Sequence, residues 1–392
     1  MQNIKLNFTN RFTEMTCKGK ILILSDARSI HTKRWVTALI NRGFDILLYS
    51  INPPSDDYFE REGVKAFYFN LFKYKEKRGI GRAYGMLSSH FAAVRDLRRV
   101  LKREKPDILH AHYLTSYSLI AALCGFKPLI LSVWGSDIYS FTKESFIKRI
   151  CVKFMLRRAD RILSTSNVMA RECAKYTGKK IDITPFGVDT GLFKPIEKEQ
   201  SRFVVGTVKI LSHKYGIDLT IRSFCEFCRK NPDMDAELVI AGTGPDTEKL
   251  RSLASSLGIA KKVIFKGYVP NGRIPELMAE FSVAVFLSRK ESFGVAAIEA
   301  MSCGKPVITS AAPGFTEVVS DNECGFIIKA ESEERVVELC GETMEKLAYD
   351  RELGRKMGEA GRKRVKTLYD WQDNVSIMER IYQQTITGDK RD

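Results

Sequence analysis

The feature that most constrains the fold of this 392-residue chain is a repeated beat of short apolar runs, each followed by a stretch long enough for a crossover helix. Runs of strand length occupy residues 21–24, 45–49, 107–110, 128–133 and 161–164. The beat pauses at Thr184-Pro185-Phe186-Gly187-Val188-Asp189 and Phe193-Lys194-Pro195, ahead of a polar run at 197–201. It restarts with runs at 203–208, 237–241, 263–265, 283–287 and 306–309. Alternating strand and helix signals predict parallel βαβ units, whose strands, covered on both faces, read as continuous apolar runs. The expectation is an α/β chain of two Rossmann-like, doubly wound parallel-sheet domains, at 20–195 and 196–368. A polar leader fills 1–19. From about residue 331 the pattern is helical, and 369–392, with Trp371, Ile377 and Ile381, reads as a C-terminal helix that could pack back on the first domain.

Composition narrows the function classes. The chain is long enough for two cores, and 44% hydrophobic with 28% charged residues is ordinary for a globular protein. The apolar stretch nearest to bilayer length, 118–134, is broken by Lys127-Pro128, and the first twenty residues lack the apolar centre of a secretory signal. Nine cysteines at irregular spacing suit a reducing compartment. A cytoplasmic protein is expected, with peripheral attachment to the inner face of the plasma membrane as an option.

The net charge of +16 asks for a partner. Basic residues cluster at Lys73, Lys75, Lys77, Arg78 and Arg82, at Arg95, Arg98, Arg99, Lys102 and Arg103, and at Lys148, Arg149, Lys153, Arg157, Arg158 and Arg161. In the third group Phe146, Ile147, Ile150, Cys151 and Phe154 share one helical face, with the basic residues largely on the other. That pattern suits a helix resting on an anionic membrane surface, and equally a core-facing stripe with a solvated basic face. Nucleic acid is not favoured, because no zinc-finger spacing or aromatic-studded basic strand is present.

The richest local pattern is Glu291-Ser292-Phe293-Gly294-Val295-Ala296-Ala297-Ile298-Glu299, which continues to a stop at Gly304 and Pro306. Glu291 is expected in the loop after a buried strand, and Phe293, Gly294 and Val295 at the opening of a short helix whose N–H groups face a ligand. Anion-binding amides between two carboxylates suit a phosphate joined to a sugar. The plain alternative makes Glu299 a helix-surface carboxylate and Glu291 a partner of the helix dipole. Gly242-Thr243-Gly244 is a fragment of a dinucleotide fingerprint without its third glycine, and Cys225 and Cys228 read as core packing.

Taken together, these segments resemble retaining glycosyltransferases of family four, which have the GT-B fold of two Rossmann-like domains facing a cleft. The resemblance rests on 288–307, Phe186-Gly187-Val188-Asp189, Gly242-Thr243-Gly244-Pro245, Phe265-Lys266-Gly267, Glu317-Val318-Val319 and Gly325-Phe326. It implies that the first domain takes the acceptor and the second a nucleotide-diphospho-sugar, UDP before GDP. Glu291, with the backbone at Phe293, Gly294 and Val295, would hold the donor sugar, and Glu299 the ribose. Lys209 and Lys214 would neutralise the leaving diphosphate, although Tyr215 stands between Lys214 and the glycine that usually follows it.

In the first domain the resemblance points to His112, with His110 two residues earlier. The pair is expected to present its members on opposite faces of a strand, so that one alone faces the site. No third ligand makes it a metal site. Trp134 stands where the family often has histidine, Asp137 would sit near the acceptor or anchor its loop, and His31 and Arg34 would line the acceptor side. The first loop, 26–35, lacks the family's paired glycines.

The function so implied is retaining transfer of a hexose-type sugar to a lipid-linked glycan in bacterial surface polysaccharide synthesis (O-antigen, capsule or exopolysaccharide). With no Asp-x-Asp motif in place, no metal or other cofactor is expected. The alternatives are another GT-B enzyme, such as a sugar-nucleotide epimerase, and a non-catalytic nucleotide-sugar-binding subunit at a membrane surface.

Overall fold

A computed structural model describes residues 17–71, 82–139, 141–198 and 201–388, with side chains at all of these except 82–87 and 136. The basic group from Lys73 to Arg78, the Arg82 side chain, most of the polar leader and part of the polar run at 197–201 lie outside the described residues.

Seven strands form the first sheet: β1 (Lys20–Leu24), β2 (Asp45–Ser50), β3 (Lys65–Tyr68), β4 (Ile108–His112), β5 (Leu129–Val133), β6 (Arg161–Ser164) and β7 (Ile181–Ile183). Their order is β3-β2-β1-β4-β5-β6-β7, and β1 pairs in parallel with both β2 and β4. The second sheet holds β8 (Phe203–Val208), β9 (Ala236–Ala241), β10 (Val263–Gly267), β11 (Val283–Phe286), β12 (Val307–Ser310) and β13 (Gly325–Ile328). Its order is β10-β9-β8-β11-β12-β13, parallel throughout. The apolar runs are all of these strands except β3, β7 and β13, and the central ones are the most deeply set: Ile21 to Leu24 in β1 and Val283 to Val285 in β11 are wholly buried.

In each sheet the strand order reverses between two central neighbours, β1 and β4 in the first, β8 and β11 in the second. Connections leave such a pair in opposite directions and open a crevice at the strands' C-terminal ends. The loops after these four strands are therefore where ligand-binding residues are sought.

The chain divides into two compact units. One takes the described residues up to Leu163 with Tyr176–Asp182 and those from Val375 onward, and the other takes Ser164–Lys175 and Ile183–Asn374. Residues 183–195, assigned by sequence to the first domain, thus pack in the second unit. Val188 N–H donates to the Tyr369 carbonyl and Trp371 N–H to the Val188 carbonyl, while Ser302 and Arg362 donate to the Phe193 carbonyl. The final helix, Trp371–Thr387, contributes Tyr382 to the first unit's core, 1% exposed.

Candidate functional site

In the second unit the loops after β8 and β11 bring Lys209, Lys214 and Glu291 together. The Lys209 ammonium lies 2.6 Å from Glu291 Oε2, with both side chains nearly buried. The Glu291 carboxylate also accepts from the Ser292 N–H, and its main-chain carbonyl accepts from Gly314 N–H. Burial alone would push the Glu291 carboxyl up. The Lys209 and Lys214 ammoniums outweigh burial and hold it below the usual carboxylate range.

Tyr215, the residue that interrupts the expected spacing, takes both lysines on its ring, with Lys209 Nζ and Lys214 Nζ each 4.9 Å from the centroid. It is the spacer between two like charges, each favoured by the ring's negative face. A planar aromatic therefore permits two cations on one short loop.

The helix Val295–Ser302 follows, with Gly294 at its N-cap in the left-handed region, φ 101°. A side chain there would be strained, and its Cβ would sit 2.9 Å from the Phe315 ring. Among the described residues, no acceptor is recorded for the amides of Phe293, Gly294, Val295 or Ala296. Their donors cluster beside Glu291 at the positive end of the helix. The Phe293 ring itself is core, set edge-on to Phe186 and Tyr369. Glu299 stands half-buried one turn along the helix.

Two supports escaped the sequence reading. Arg289 makes a fork to Asp218, at 2.8 and 2.7 Å, and bonds Glu333 and the His213 carbonyl, which ties the Glu291 loop to the Lys214 loop. Gly242 and Gly244 belong to neither a fingerprint nor chance. A Cβ on Gly242 would lie 1.9 Å from the Lys209 carbonyl oxygen, and one on Gly244 2.2 Å from that of Leu211, so the Lys209 loop rests on bare backbone. Beside it opens a cavity of about 200 Å³, lined by Lys209, Ile210, Gly242, Thr243, Tyr268 and Val269. Only Lys209 among these had been assigned a role, because an apolar lining of loop residues leaves no charge pattern to read. Glu317, by contrast, is a cap: its carboxylate accepts from the Asn167 and Val168 amides at the start of the helix Asn167–Ala174.

The first unit gathers His31, His112, Tyr113 and Trp134 at the ends of β1, β4 and β5. His112 is buried, shares a hydrogen bond with Ser25 Oγ at 3.0 Å, and packs tilted against Trp134 with centroids 4.4 Å apart. His31 also meets Trp134 edge-on at 6.0 Å, with Arg34 one turn along the same helix. Tyr113, at φ 69°, holds the strained turn out of β4.

One expectation needs correction here. His110 and His112 do not lie on opposite faces: residues two apart in a strand share a face, and the two rings pack at 4.6 Å. His110 is the inner member, bonded to Tyr382 Oη at 2.6 Å and Ser132 Oγ at 2.7 Å. Of the two roles expected of Asp137, the structure shows the loop anchor. It is 1% exposed, and its carboxylate accepts from the amides of Leu114, Trp134 and Gly135, so it anchors the loops after β4 and β5. Burial pushes the Asp137 carboxyl up and lowers His31 to about 4 and His110 to about 3, while His112 falls well below its ordinary value. All three imidazoles are neutral at pH 7.

Two doubly wound parallel sheets, each with its polar groups gathered at the switch point, are the GT-B architecture. Residues 20–166 match the family described as glycosyl transferase 4-like, and 189–364 match glycosyl transferases group 1. The chain is 26% identical over 310 residues to the N-acetyl-alpha-D-glucosaminyl L-malate synthase of Bacillus anthracis, covering 75% of this chain and 79% of that one. Sucrose-phosphate synthase of Thermosynechococcus elongatus superposes with a TM-score of 0.77 at 17% identity, covering 94% of this chain and all of the other. HepE of Anabaena, solved with UDP and glucose, superposes at 0.72 and 18% identity with the same coverage. The chain belongs to the group 1, family-four glycosyltransferases.

Proposed function

We propose that the second unit holds a nucleotide-diphospho-sugar, UDP-linked, and that the enzyme moves its sugar with retention to a lipid-linked glycan of a bacterial surface polysaccharide. The observation that carries the donor reading is the buried Lys209–Glu291 pair beside four unbonded amides and the cavity at Tyr268. HepE was solved with UDP and glucose, which supports the choice of base. The basic composition supports an acceptor at an anionic surface.

In this reading the diphosphate lies against Lys209, Lys214 and the amides of Phe293, Gly294 and Val295, and the base enters the cavity. Glu299 takes the ribose diol. Glu291 takes hydroxyls of the hexose, and a fixed carboxylate there supports the positive charge that develops on the ring as the bond to phosphate breaks. The departing phosphate oxygen accepts the acceptor's proton on the same face, so no protein nucleophile is needed and the anomeric configuration is kept. The lysines stabilise the leaving group's charge without a metal. In the first unit, His112, neutral and held by Ser25 and Trp134, lies with His31 and Arg34, which are read as acceptor-side.

A thermal-shift panel of UDP, GDP and ADP, followed by their sugars, tests the donor. Stabilisation by UDP above the others, then acceptor-dependent release of UDP with an α-linked product from an α-linked donor, is the expected result. Sugar consumption without any acceptor would point to an epimerase or hydrolase instead.

A further inference from the structure

The helix Phe146–Arg158 in the first unit has an apolar face that the protein leaves uncovered. Its inward contacts come from Val152, Met155 and Leu156, which are 0 to 1% exposed. Phe146 and Ile147 are 69% and 71% exposed, Ile150 50% and Phe154 37%. The core-facing-stripe reading of this segment is therefore overturned: the stripe points to solvent, and a different set of residues packs inward. Spaced by three and four, the exposed side chains form one continuous ridge.

Arg149, Lys153 and Arg157 are exposed along one border of the ridge, and none of their side chains is hydrogen-bonded or ion-paired among the described residues. On the opposite border Lys148 pairs with Glu144, the last residue of the short helix that precedes it. The other basic helix differs: Arg98 there donates to the carbonyls of Leu123 and Cys124 and so has a structural task. Cations kept unpaired beside exposed aromatic and aliphatic groups fit a partner with an apolar interior under a negatively charged surface. A nucleic acid would use the cations and leave Ile147 and Ile150 without a role.

We infer that this face docks the first unit on an anionic lipid bilayer. Phe146, Ile147, Ile150 and Phe154 enter the boundary between headgroups and acyl chains, and Arg149 and Lys153 meet lipid phosphates from its edge. The inference goes beyond the transfer reading and does not rest on which donor or acceptor is used.

The test is co-sedimentation of the full chain with vesicles of phosphatidylcholine alone or mixed with phosphatidylglycerol. Two double variants are compared with wild type, Ile147→Asp with Ile150→Asp and Arg149→Glu with Lys153→Glu, and Lys261→Glu in the second unit is the charge control. All four substituted docking residues are exposed, so unchanged melting temperatures and an unchanged UDP-induced shift are expected, which separates this test from that of the donor site. Wild type should bind the anionic vesicles at least about tenfold better than the neutral ones, with affinity falling as salt rises. Each double variant should lose about tenfold or more, and Lys261→Glu little. The inference is overturned if wild type fails to bind anionic vesicles at low salt, or if either double variant binds as wild type does. It is equally overturned if the isoleucine variant abolishes a dimer of this chain while the wild type ignores vesicles.

Discussion

Glu291 and Lys209 are held out of water 2.6 Å apart, and that placement sets their chemistry. A buried carboxylate is stable only while a cation compensates it, so removing one partner exposes the full desolvation cost of the other. Lys209→Met should lower the unfolding free energy by about 3 kcal/mol and raise the Glu291 carboxyl, measured by denaturant titration. Because the folded carboxyl sits below its unfolded value, the pair's contribution is present above about pH 4.3 and is lost as pH falls through the folded value. Glu291→Ala leaves Lys209 without its partner in turn, so it should lower stability by a similar amount while the chain still folds, and cut transfer by about 10²- to 10³-fold. His110 titrates in a higher window. Its folded value is about 3 against about 6.5 when unfolded, so the unfolded chain binds the extra proton between them. Stability from this group is complete above about pH 6.5 and falls with acidification by up to roughly 1.4 kcal/mol per pH unit. Unfolding free energies that do not change between pH 7 and pH 5 would contradict the buried, neutral assignment.

At the scale of elements, the site depends on loops pinned by side chains that touch no ligand. Asp137 holds three amides across the loops after β4 and β5. Asp137→Ala should cost about 3 kcal/mol by leaving buried donors without acceptors, read as a lower denaturation midpoint. Much of the scaffold was legible in the sequence, because central parallel strands are apolar on both faces and leave unbroken runs. Three of the four edge strands were not; the fourth, β10, was read from its run at 263–265. β3 has only two half-buried residues between exposed ends, β7 has three half-buried residues, and β13 begins at a glycine, so none carries a run to recognise. The Glu291–Glu299 segment was legible for another reason: strand, loop, glycine N-cap and helix are all local, so spacing determines geometry. Tyr215 and Arg289 act through partners up to 76 residues apart, as in Arg289 to the His213 carbonyl, and no local pattern announces them. The His110–His112 pair shows the cost of a wrong periodicity: a strand repeats every two residues, and the pair had been given a repeat of one.

At the scale of the molecule, family membership and two switch-point sites identify a glycosyltransferase, while the surface carries the excess charge of +16. The described residues include no helix long and apolar enough to cross a membrane. The central claim is that the second unit binds a nucleoside diphosphate between the Lys209 loop and the helix Val295–Ser302, and calorimetric titration of UDP into wild type and Glu299→Ala tests it most directly. Saturable binding by wild type, weakened about tenfold or more in Glu299→Ala at an unchanged melting temperature, is the result the account predicts, since a carboxylate bonded to a ribose diol is worth about 1.5–3 kcal/mol. Equal UDP affinity in the two chains, or none in wild type, would contradict it.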